Sequence, residues 1–311
     1  MSKKNVTIKL IVASCLALLL LANTSIYAKA ADVLESSNQP EMNLSGLEDN
    51  TSVTYNLETG KIAYGIDQNV VSSEQVEIDD VNDSVSTYSV IGNDGRTYVP
   101  NTTGSPYRNV CQLTVTYADG SVSYGSGTLV YFDVLLTAGH VVYSHDHGWA
   151  KTVQVTPGKD GSNSPLGVAY ATQITTSNNW INSKDYNYDW AIVDLSASFS
   201  TWQLYACYDT PNIALNRSVT AIGYPMDMGI FDMGYFFMYK DTNIITSATD
   251  LHILGIFDVT HGDSGGAIID DKTGYLVAII SSEYAINGEG AVNWGVLITR
   301  DLFQRIKAHS D

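Results

Sequence analysis

The sequence has few cysteines, which limits both its redox chemistry and its cross-linking. Of three cysteines in 311 residues, Cys15 lies in an amino-terminal apolar segment, which leaves Cys111 and Cys207 for the rest of the chain. One disulfide between these two is possible outside the cell, and two buried thiols are the alternative. No signature of a catalytic cysteine surrounds either residue, so a cysteine nucleophile is not predicted.

Basic residues are also scarce. The chain has 16 Lys and Arg against 33 Asp and Glu, a formal net charge of −17. Such an acidic protein is a poor partner for nucleic acid or for an anionic membrane surface. The charge is unevenly spread, because residues 31–88 carry −11 and residues 89–311 carry −10.

Long apolar runs are missing except at the amino terminus, from Leu10 to Ala22. That run is shorter than the roughly 20 residues that a membrane-spanning helix needs, which disfavours an amino-terminal membrane anchor. Lys3, Lys4 and Lys9 precede this run, and Ala28-Lys29-Ala30 follows it as a small-x-small cleavage pattern. Residues 1–30 are therefore predicted to be a secretory signal peptide, whose removal releases an extracellular product with no membrane segment.

Helical periodicity is almost absent from the remainder. Residues 31–88 are acidic, polar and poor in large apolar residues, which indicates either a disordered linker or, as we prefer, a pro-segment removed on activation. From Ser89 onward, short alternating strands are separated by turn residues, as in "CQLTVTYADGSVSYGSGTLVYFD". This pattern predicts an all-β domain over residues 89–311, either two barrels or a sandwich, ending in a short amphipathic helix over Arg300–His309.

The stretch "THGDSGGAII" places Ser264 among three glycines. A serine hydroxyl becomes a nucleophile only if a base takes its proton and donors hold the oxyanion that forms. Glycine permits a sharp turn, so the backbone N–H groups of Gly262 and Ser264 could converge on one substrate oxygen. The alternative is an ordinary glycine-rich turn between strands.

His140, in "LLTAGHVVY", is the predicted base, because it follows an apolar strand and small residues that allow close approach. Its alternative is a core histidine. His261 adjoins the serine and is expected to line the cleft. His145 and His147 could contribute to a metal site, but no third ligand pattern is visible, and neither a metal nor a cofactor is predicted.

A buried carboxylate should orient the histidine. Asp189, directly before the apolar strand of "NYDWAIVDL", is preferred over Asp185 and Asp194, which are the alternatives. The order His140, Asp189, Ser264 is one of the three known chain orders of this triad.

"TAGH", "DWAIVDL" and "GDSGG" together resemble the chymotrypsin-like serine peptidases. "SVIGNDGRTYVPNTTGSPYR", "VTPGKDGSNSPLG" and "IGYP" are similar to the bacterial glutamyl endopeptidase branch, and the resemblance covers about residues 89–305. It implies two six-stranded antiparallel β-barrels, polypeptide substrates, and a zymogen cut near Tyr88-Ser89 by another protease or by the enzyme itself. It also implies that His140 is the general base, that Asp189 orients it, that Ser264 is the nucleophile, and that Gly262 and Ser264 form the oxyanion hole.

The resemblance also directs attention to residues that would set specificity. Glutamyl endopeptidases hold a substrate glutamate with a histidine in the strand after the serine, where this sequence has Ile279 or Ile280. An apolar side chain cannot hydrogen-bond a carboxylate, so a preference for glutamate is not predicted. The candidate substrate-binding residues are Asp258, His261, Ile280 and Ser281.

Two acidic residues near the serine suggest further roles. Asp258 lies six residues before Ser264, where trypsin-like enzymes keep the acid that selects Arg or Lys. Asp263 could pair with the α-amino group freed near Ser89 or Val90 by processing, as in trypsin-like zymogens. The competing function is a catalytically silent homologue that binds proteins or cell-wall material, which the presence of all three triad residues disfavours.

Overall fold

The computed structural model describes residues 52–64, 90, 93–199, 215–230, 233–286 and 289–310. The predicted signal peptide lies outside the described residues, as does Cys207. Within the described part, no helix is long and apolar enough to cross a membrane. Cys111 is buried and free, and burial holds the pKa of its thiol well above the ordinary value.

The first six-stranded antiparallel barrel is built from the sequence between Val110 and Leu195. Its strands are β4 (Val110–Tyr117), β5 (Val122–Leu129), β6 (Val134–Thr137), β8 (Gly148–Pro157), β9 (Ala169–Ser177) and β10 (Ala191–Leu195). They follow the spatial order β9-β10-β6-β5-β4-β8, and the pairing of β8 with β9 closes the barrel. Its core is filled by alternate residues of these strands, as the period-two pattern predicts.

The second barrel is built in the same way from Ser218 to Leu297. Its strands are β11 (Ser218–Gly223), β12 (Tyr239–Ala248), β13 (His252–Gly255), β14 (Ala267–Asp270), β15 (Leu276–Ile286) and β16 (Glu289–Leu297). The order is β11-β14-β15-β16-β13-β12, closed by β11 on β12. The prediction of two six-stranded barrels is thus confirmed, and the sandwich alternative is wrong.

Four short strands extend these barrels. They are β1 (Ser52–Asn56) and β2 (Ile62–Tyr64) next to β9, β3 (Thr97–Tyr98) next to β12, and β7 (Tyr143–Ser144) next to β8. Because β1 pairs with β9, the alternative of a disordered linker does not hold for residues 52–64, and the pro-segment stays a prediction.

The described structure also has three α-helices, which are α1 (Gly139–Val142), α2 (Asn178–Ser183) and the predicted carboxy-terminal helix α3 (Arg300–Ala308). Three short 3-10 helices lie at Tyr107–Asn109, Tyr186–Tyr188 and Met226–Met228. The Thr299 hydroxyl accepts the Leu302 N–H and caps α3, whose buried residues are Leu302 and Ile306. Both pack into a core cluster that contains residues of both barrels. The cleft between the barrels is therefore formed by elements that share one apolar core.

Candidate active site

His140 and Asp189 are brought together by the pairing of β6 with β10. Thr137 lies opposite Ala191 in this antiparallel pair, so the residues just beyond each strand end, His140 and Asp189, become neighbours. Because Gly139 has no side chain, the Asp189 carboxylate and the Trp180 ring can lie close to the backbone before His140. A Cβ atom there would lie 3.1 Å from Asp189 Oδ1 and 3.0 Å from the Trp180 ring, with no space to spare.

The contact between the two side chains has the geometry of an oriented histidine. His140 Nδ1 lies 2.7 Å from Asp189 Oδ2, and the His140 backbone N–H donates to Oδ1 over 2.8 Å. The Asp189 carboxylate is fully buried. Burial alone would raise its pKa, but attraction to His140 and the hydrogen bonds it accepts hold the pKa below its ordinary value. Asp189 is therefore a buried carboxylate that stays ionised and fixes the ring with Nε2 directed away from it.

Ser281 supplies another hydrogen bond to this carboxylate. Its hydroxyl donates to Asp189 Oδ2 over 2.6 Å from the adjoining strand β15. The sequence suggested Ser281 as a substrate-binding residue, and the structure shows its hydroxyl directed at the orienting acid. A serine in a run of apolar and polar strand residues gives no sequence signal of this contact.

The two alternatives to Asp189 have other partners. The Asp185 carboxylate accepts the Asn187 N–H over 2.9 Å and caps a short turn. Asp194 lies 2.9 Å from His309 Nδ1, at the end of helix α3. Neither carboxylate is bonded to His140, and Asp189 remains the predicted orienting residue.

Ser264 lies in a glycine-rich loop (Thr260–Gly266, here the serine loop) that packs directly on the segment before His140. Gly265 has φ +82°, and a Cβ atom there would collide with the Thr137 hydroxyl and with the Ser126 carbonyl. In strand β5, a Cβ atom at Gly125 would contact the Val141 side chain, next to His140, and the Ser264 carbonyl oxygen. The glycines of "GSG", "TAGH" and "GDSGG" thus allow three backbone segments to meet without side chains between them.

Ser126 is the connecting residue at this meeting point, and sequence reasoning missed it. Its buried hydroxyl donates to the Gly262 carbonyl over 2.7 Å and accepts the Tyr224 N–H over 2.9 Å. Its own N–H donates to the Ser264 carbonyl over 2.8 Å. Ser126 therefore fixes the backbone on both sides of Asp263, next to the N–H groups that the sequence assigns to an oxyanion hole. The only sequence signal was a small hydroxyl between two glycines within a strand.

Gly262 itself has φ +97°, and a Cβ atom there would collide with the Tyr224 carbonyl. Only glycine can occupy this position without strain. Among the described residues, the Gly262 N–H has no backbone acceptor. This arrangement is compatible with a donor that serves a substrate oxygen.

Asp263 is a buried acid without a cation. Its side chain accepts the Thr260 N–H over 2.9 Å. Burial raises the pKa of Asp263 to about 8, although that hydrogen bond and the charge of Arg96 act in the opposite direction. Arg96 itself forms ion pairs with Asp94 and Asp227, at 2.9 and 2.7 Å. Within the part of the chain that the structure describes, no cation lies within ion-pair distance of Asp263.

The remaining candidate residues have different surroundings. The Asp258 carboxylate is buried and accepts the Gly95 N–H over 2.6 Å, so it holds the segment before β3. Ile280 is buried in the core of the second barrel and exchanges backbone hydrogen bonds with Gly265 and Gly266. His261 is partly open to solvent, and desolvation together with the charge of His140 lowers its pKa. His261 is thus a candidate that is exposed to solvent and whose pKa is lowered in part by the charge of His140.

A metal site around His145 and His147 has no support in the geometry. His147 Nδ1 pairs with Asp119 Oδ2 over 2.8 Å, whereas the His145 ring packs edge-on against Trp180. Over the described residues, no group of three or more His, Cys, Asp and Glu side chains could hold a metal ion. The described residues around His145 and His147 therefore do not fit a metal centre.

The amino-acid sequence of this chain is similar to those of known proteases. A family model described as Trypsin matches residues 99–301. Curated relatives include an extracellular metalloprotease of Bacillus subtilis, 32% identical over 94% of this chain and 93% of that protein. Another is a glutamyl endopeptidase of Bacillus licheniformis, 27% identical over 71% of this chain and 69% of that protein.

Solved structures give a consistent result. A Glu endopeptidase in complex with MPD superposes with a TM-score of 0.61 at 25% identity, covering 71% of this chain and 98% of that one. The protease Anisep from Arthrobacter nicotinovorans superposes with a TM-score of 0.56 at 15% identity, covering 69% and 99%, and is similar in fold alone.

Proposed function

Because this chain belongs to the trypsin family of serine peptidases, we propose that it hydrolyses peptide bonds through Ser264, His140 and Asp189. The chain is a serine endopeptidase related to the glutamyl endopeptidases, and its substrates are polypeptides. The observation that carries the assignment of roles is the pairing of His140 Nδ1 with the buried Asp189 carboxylate at 2.7 Å. This family membership also favours an enzyme over a catalytically silent binding module.

In the proposed reaction, Ser264 Oγ attacks the scissile carbonyl carbon while His140 Nε2 takes the proton of the Ser264 hydroxyl. The Gly262 and Ser264 N–H groups stabilise the negative charge that develops on the carbonyl oxygen. His140 then donates its proton to the leaving amine, and the C–N bond breaks to give an acyl-enzyme. Water, deprotonated by His140, attacks the acyl carbon of the ester. The bond between this carbon and Ser264 Oγ breaks, Oγ takes the proton from His140, and the carboxylic acid product leaves.

A serine-directed phosphonate tests this assignment. We expect one covalent adduct, located at Ser264 by peptide mapping, and no adduct in Ser264→Ala. Asp189→Asn should keep the fold but lower kcat by roughly 10⁴-fold, because the histidine loses its oriented tautomer. Stoichiometric labelling of a different serine, with activity retained in Ser264→Ala, would contradict the proposal.

We further propose that the protein is exported by residues 1–30 and is made as a zymogen with a cut near Tyr88-Ser89. The extracellular relative supports export. Buried Asp263 supports activation, because the described residues place no cation within ion-pair distance of it and a freed α-amino group would supply one. Sequencing the amino terminus of the active, secreted enzyme tests both cuts. An active form in which no chain begins between residues 65 and 90 would contradict the second.

The preference at the cleavage site is proposed to differ from that of a glutamyl endopeptidase. Buried Ile280 offers no hydrogen bond to a substrate carboxylate, and the Asp258 carboxylate is held by Gly95. A peptide library that varies the residue before the cut would show strong selection for glutamate if this reasoning is wrong. Selection for Arg or Lys would instead mean that Asp258 is released from Gly95 to meet substrate.

A further inference from the structure

The segment Ser52–Tyr64, here the hairpin segment, is ordered by the first barrel. Asn56 initiates its turn, since its side chain accepts the Thr59 N–H over 2.8 Å, and Gly60 closes the turn with φ +67°. An isolated two-stranded hairpin is only marginally stable in water. The partner that stabilises this one is strand β9.

The pairing occupies a free edge of the barrel. Strand β9 is nine residues long, but its start alone reaches β8, where Tyr170 lies opposite Gln154. Beyond that point, β1 takes the place of β8 and pairs with residues 173–177 of β9. The Leu57 N–H extends the ladder by donating to the Thr172 carbonyl over 3.0 Å. Five residues of main-chain edge are therefore satisfied by the hairpin segment.

Side chains add specificity to this edge. Val53 is only 2% exposed, and the Thr54 and Thr175 hydroxyls are 2.9 Å apart. The Tyr55 ring stacks on Trp149 of β8, with centroids 5.0 Å apart and planes 14° apart. Leu57 packs against the core of the first barrel. Backbone pairing combined with side-chain pockets is how sheet edges bind extended peptides.

The occupied edge leads directly to the active site. Ser52 lies opposite Ser177, which caps helix α2 by accepting the Asn179 N–H over 3.1 Å. Trp180 of that helix is buried, and its ring lies 6.3 Å from the His140 ring. The strand that holds the hairpin segment is thus continuous with the wall behind the catalytic histidine.

We propose that residues 172–177 of β9, together with Trp149, form a reversible docking site for an extended strand, and that the hairpin segment remains bound there after the chain is cut. The position of that cut, between residues 64 and 90, rests on the proposed zymogen processing. Before cutting, the tether holds the segment at an effective concentration on the order of millimolar. After cutting, only the contacts with β9 and Trp149 hold the hairpin segment. The complex of the hairpin segment with the rest of the protein therefore persists at high protein concentration and dissociates on dilution.

The test uses the full-length Ser264→Ala chain with a recognition site for a cysteine peptidase inserted between residues 64 and 90. After cutting, we expect the amino-terminal fragment to co-elute with the core at high concentration and to be lost on dilution. Amide exchange at residues 172–177 should be slow in the complex and fast after dilution. Because the chain is inert and cut from outside, this outcome is independent of whether Ser264 is catalytic.

Separation of the two fragments at every concentration, with unchanged exchange at residues 172–177, would overturn the proposal. Matched variants identify the contact. Val53→Asp should weaken retention by about tenfold or more, because it places a charge at a buried position. Ile62→Asp, at a position 49% exposed on the same hairpin, should leave retention unchanged.

Equal effects of these two substitutions would show that hairpin folding, and not docking on β9, is being measured. If Val53→Asp does not accumulate as a folded chain, Val53→Ala provides the same comparison with a smaller loss of contact. Retention equal to that of the parent in Val53→Ala would then contradict a role for this buried side chain.

Discussion

Replacement of Asp263 by Asn in the uncut chain should make the protein more stable at neutral pH. The ordinary pKa of an aspartate is 3.8, and burial raises that of Asp263 to about 8. Between about pH 4 and pH 8, the unfolded chain has released this proton while the folded chain still holds it. The free energy of unfolding therefore falls as pH rises, by up to about 1.4 kcal/mol per pH unit.

The magnitude at pH 7 follows from this slope. About three pH units separate the ordinary pKa from neutrality, so the folded precursor carries a penalty on the order of 4 kcal/mol. An asparagine at this position has no proton to retain, and its amide oxygen can still accept the Thr260 N–H. The expected gain of Asp263→Asn is therefore absent near pH 4, grows toward pH 8 and is constant above it.

Urea unfolding of the Ser264→Ala precursor, with and without Asp263→Asn, measures this difference across the pH range. Asp133→Asn is the matched control, because it makes the same substitution at an exposed position. A difference that does not change with pH would show that folding does not raise the pKa of Asp263 in the precursor. The proposal that it awaits an α-amino group would then fail.

Two further predictions concern the geometry of the site. Ser281→Ala should lower kcat by about 10- to 100-fold with little change in KM, because the Asp189 carboxylate loses a hydrogen bond. Steady-state kinetics measure this effect, with Ser282→Ala as the control. Equal effects of the two substitutions would contradict the prediction. Gly265→Ala should prevent folding or abolish activity, because a Cβ atom there collides with neighbouring backbone. Gly274→Ala has a similar positive φ but open space, so thermal unfolding should show a loss of only about 1–2 kcal/mol, and an equal loss in both would refute the packing argument.

The fold was predictable because its signals are local. Alternating strands, turn residues such as Asp119-Gly120, and the stripe of Leu302 and Ile306 each act within a few residues. The hairpin segment was missed because its order depends on pairing with β9, a distant part of the chain, in which Val53 becomes buried. A polar composition shows that a segment cannot form its own core, but not that it lacks a partner.

The site was predictable to a similar extent. The residue types and chain order indicated His140 and Asp189, and the structure shows their contact, whereas the roles of all three triad residues stay a prediction. The partner of Asp258 could not be foreseen, because Gly95 is 163 residues away and contributes only its backbone N–H. Contacts made by backbone atoms leave no trace in a pattern of side chains.

Ser126 gives the assembly of this enzyme a particular order. Its hydroxyl belongs to the first barrel, but both of its partners, Gly262 and Tyr224, belong to the second half of the chain. The backbone around Ser264 therefore takes the observed conformation only when the two halves of the chain are docked. Docking of the two barrels on each other is therefore needed to fix the conformation of the serine loop.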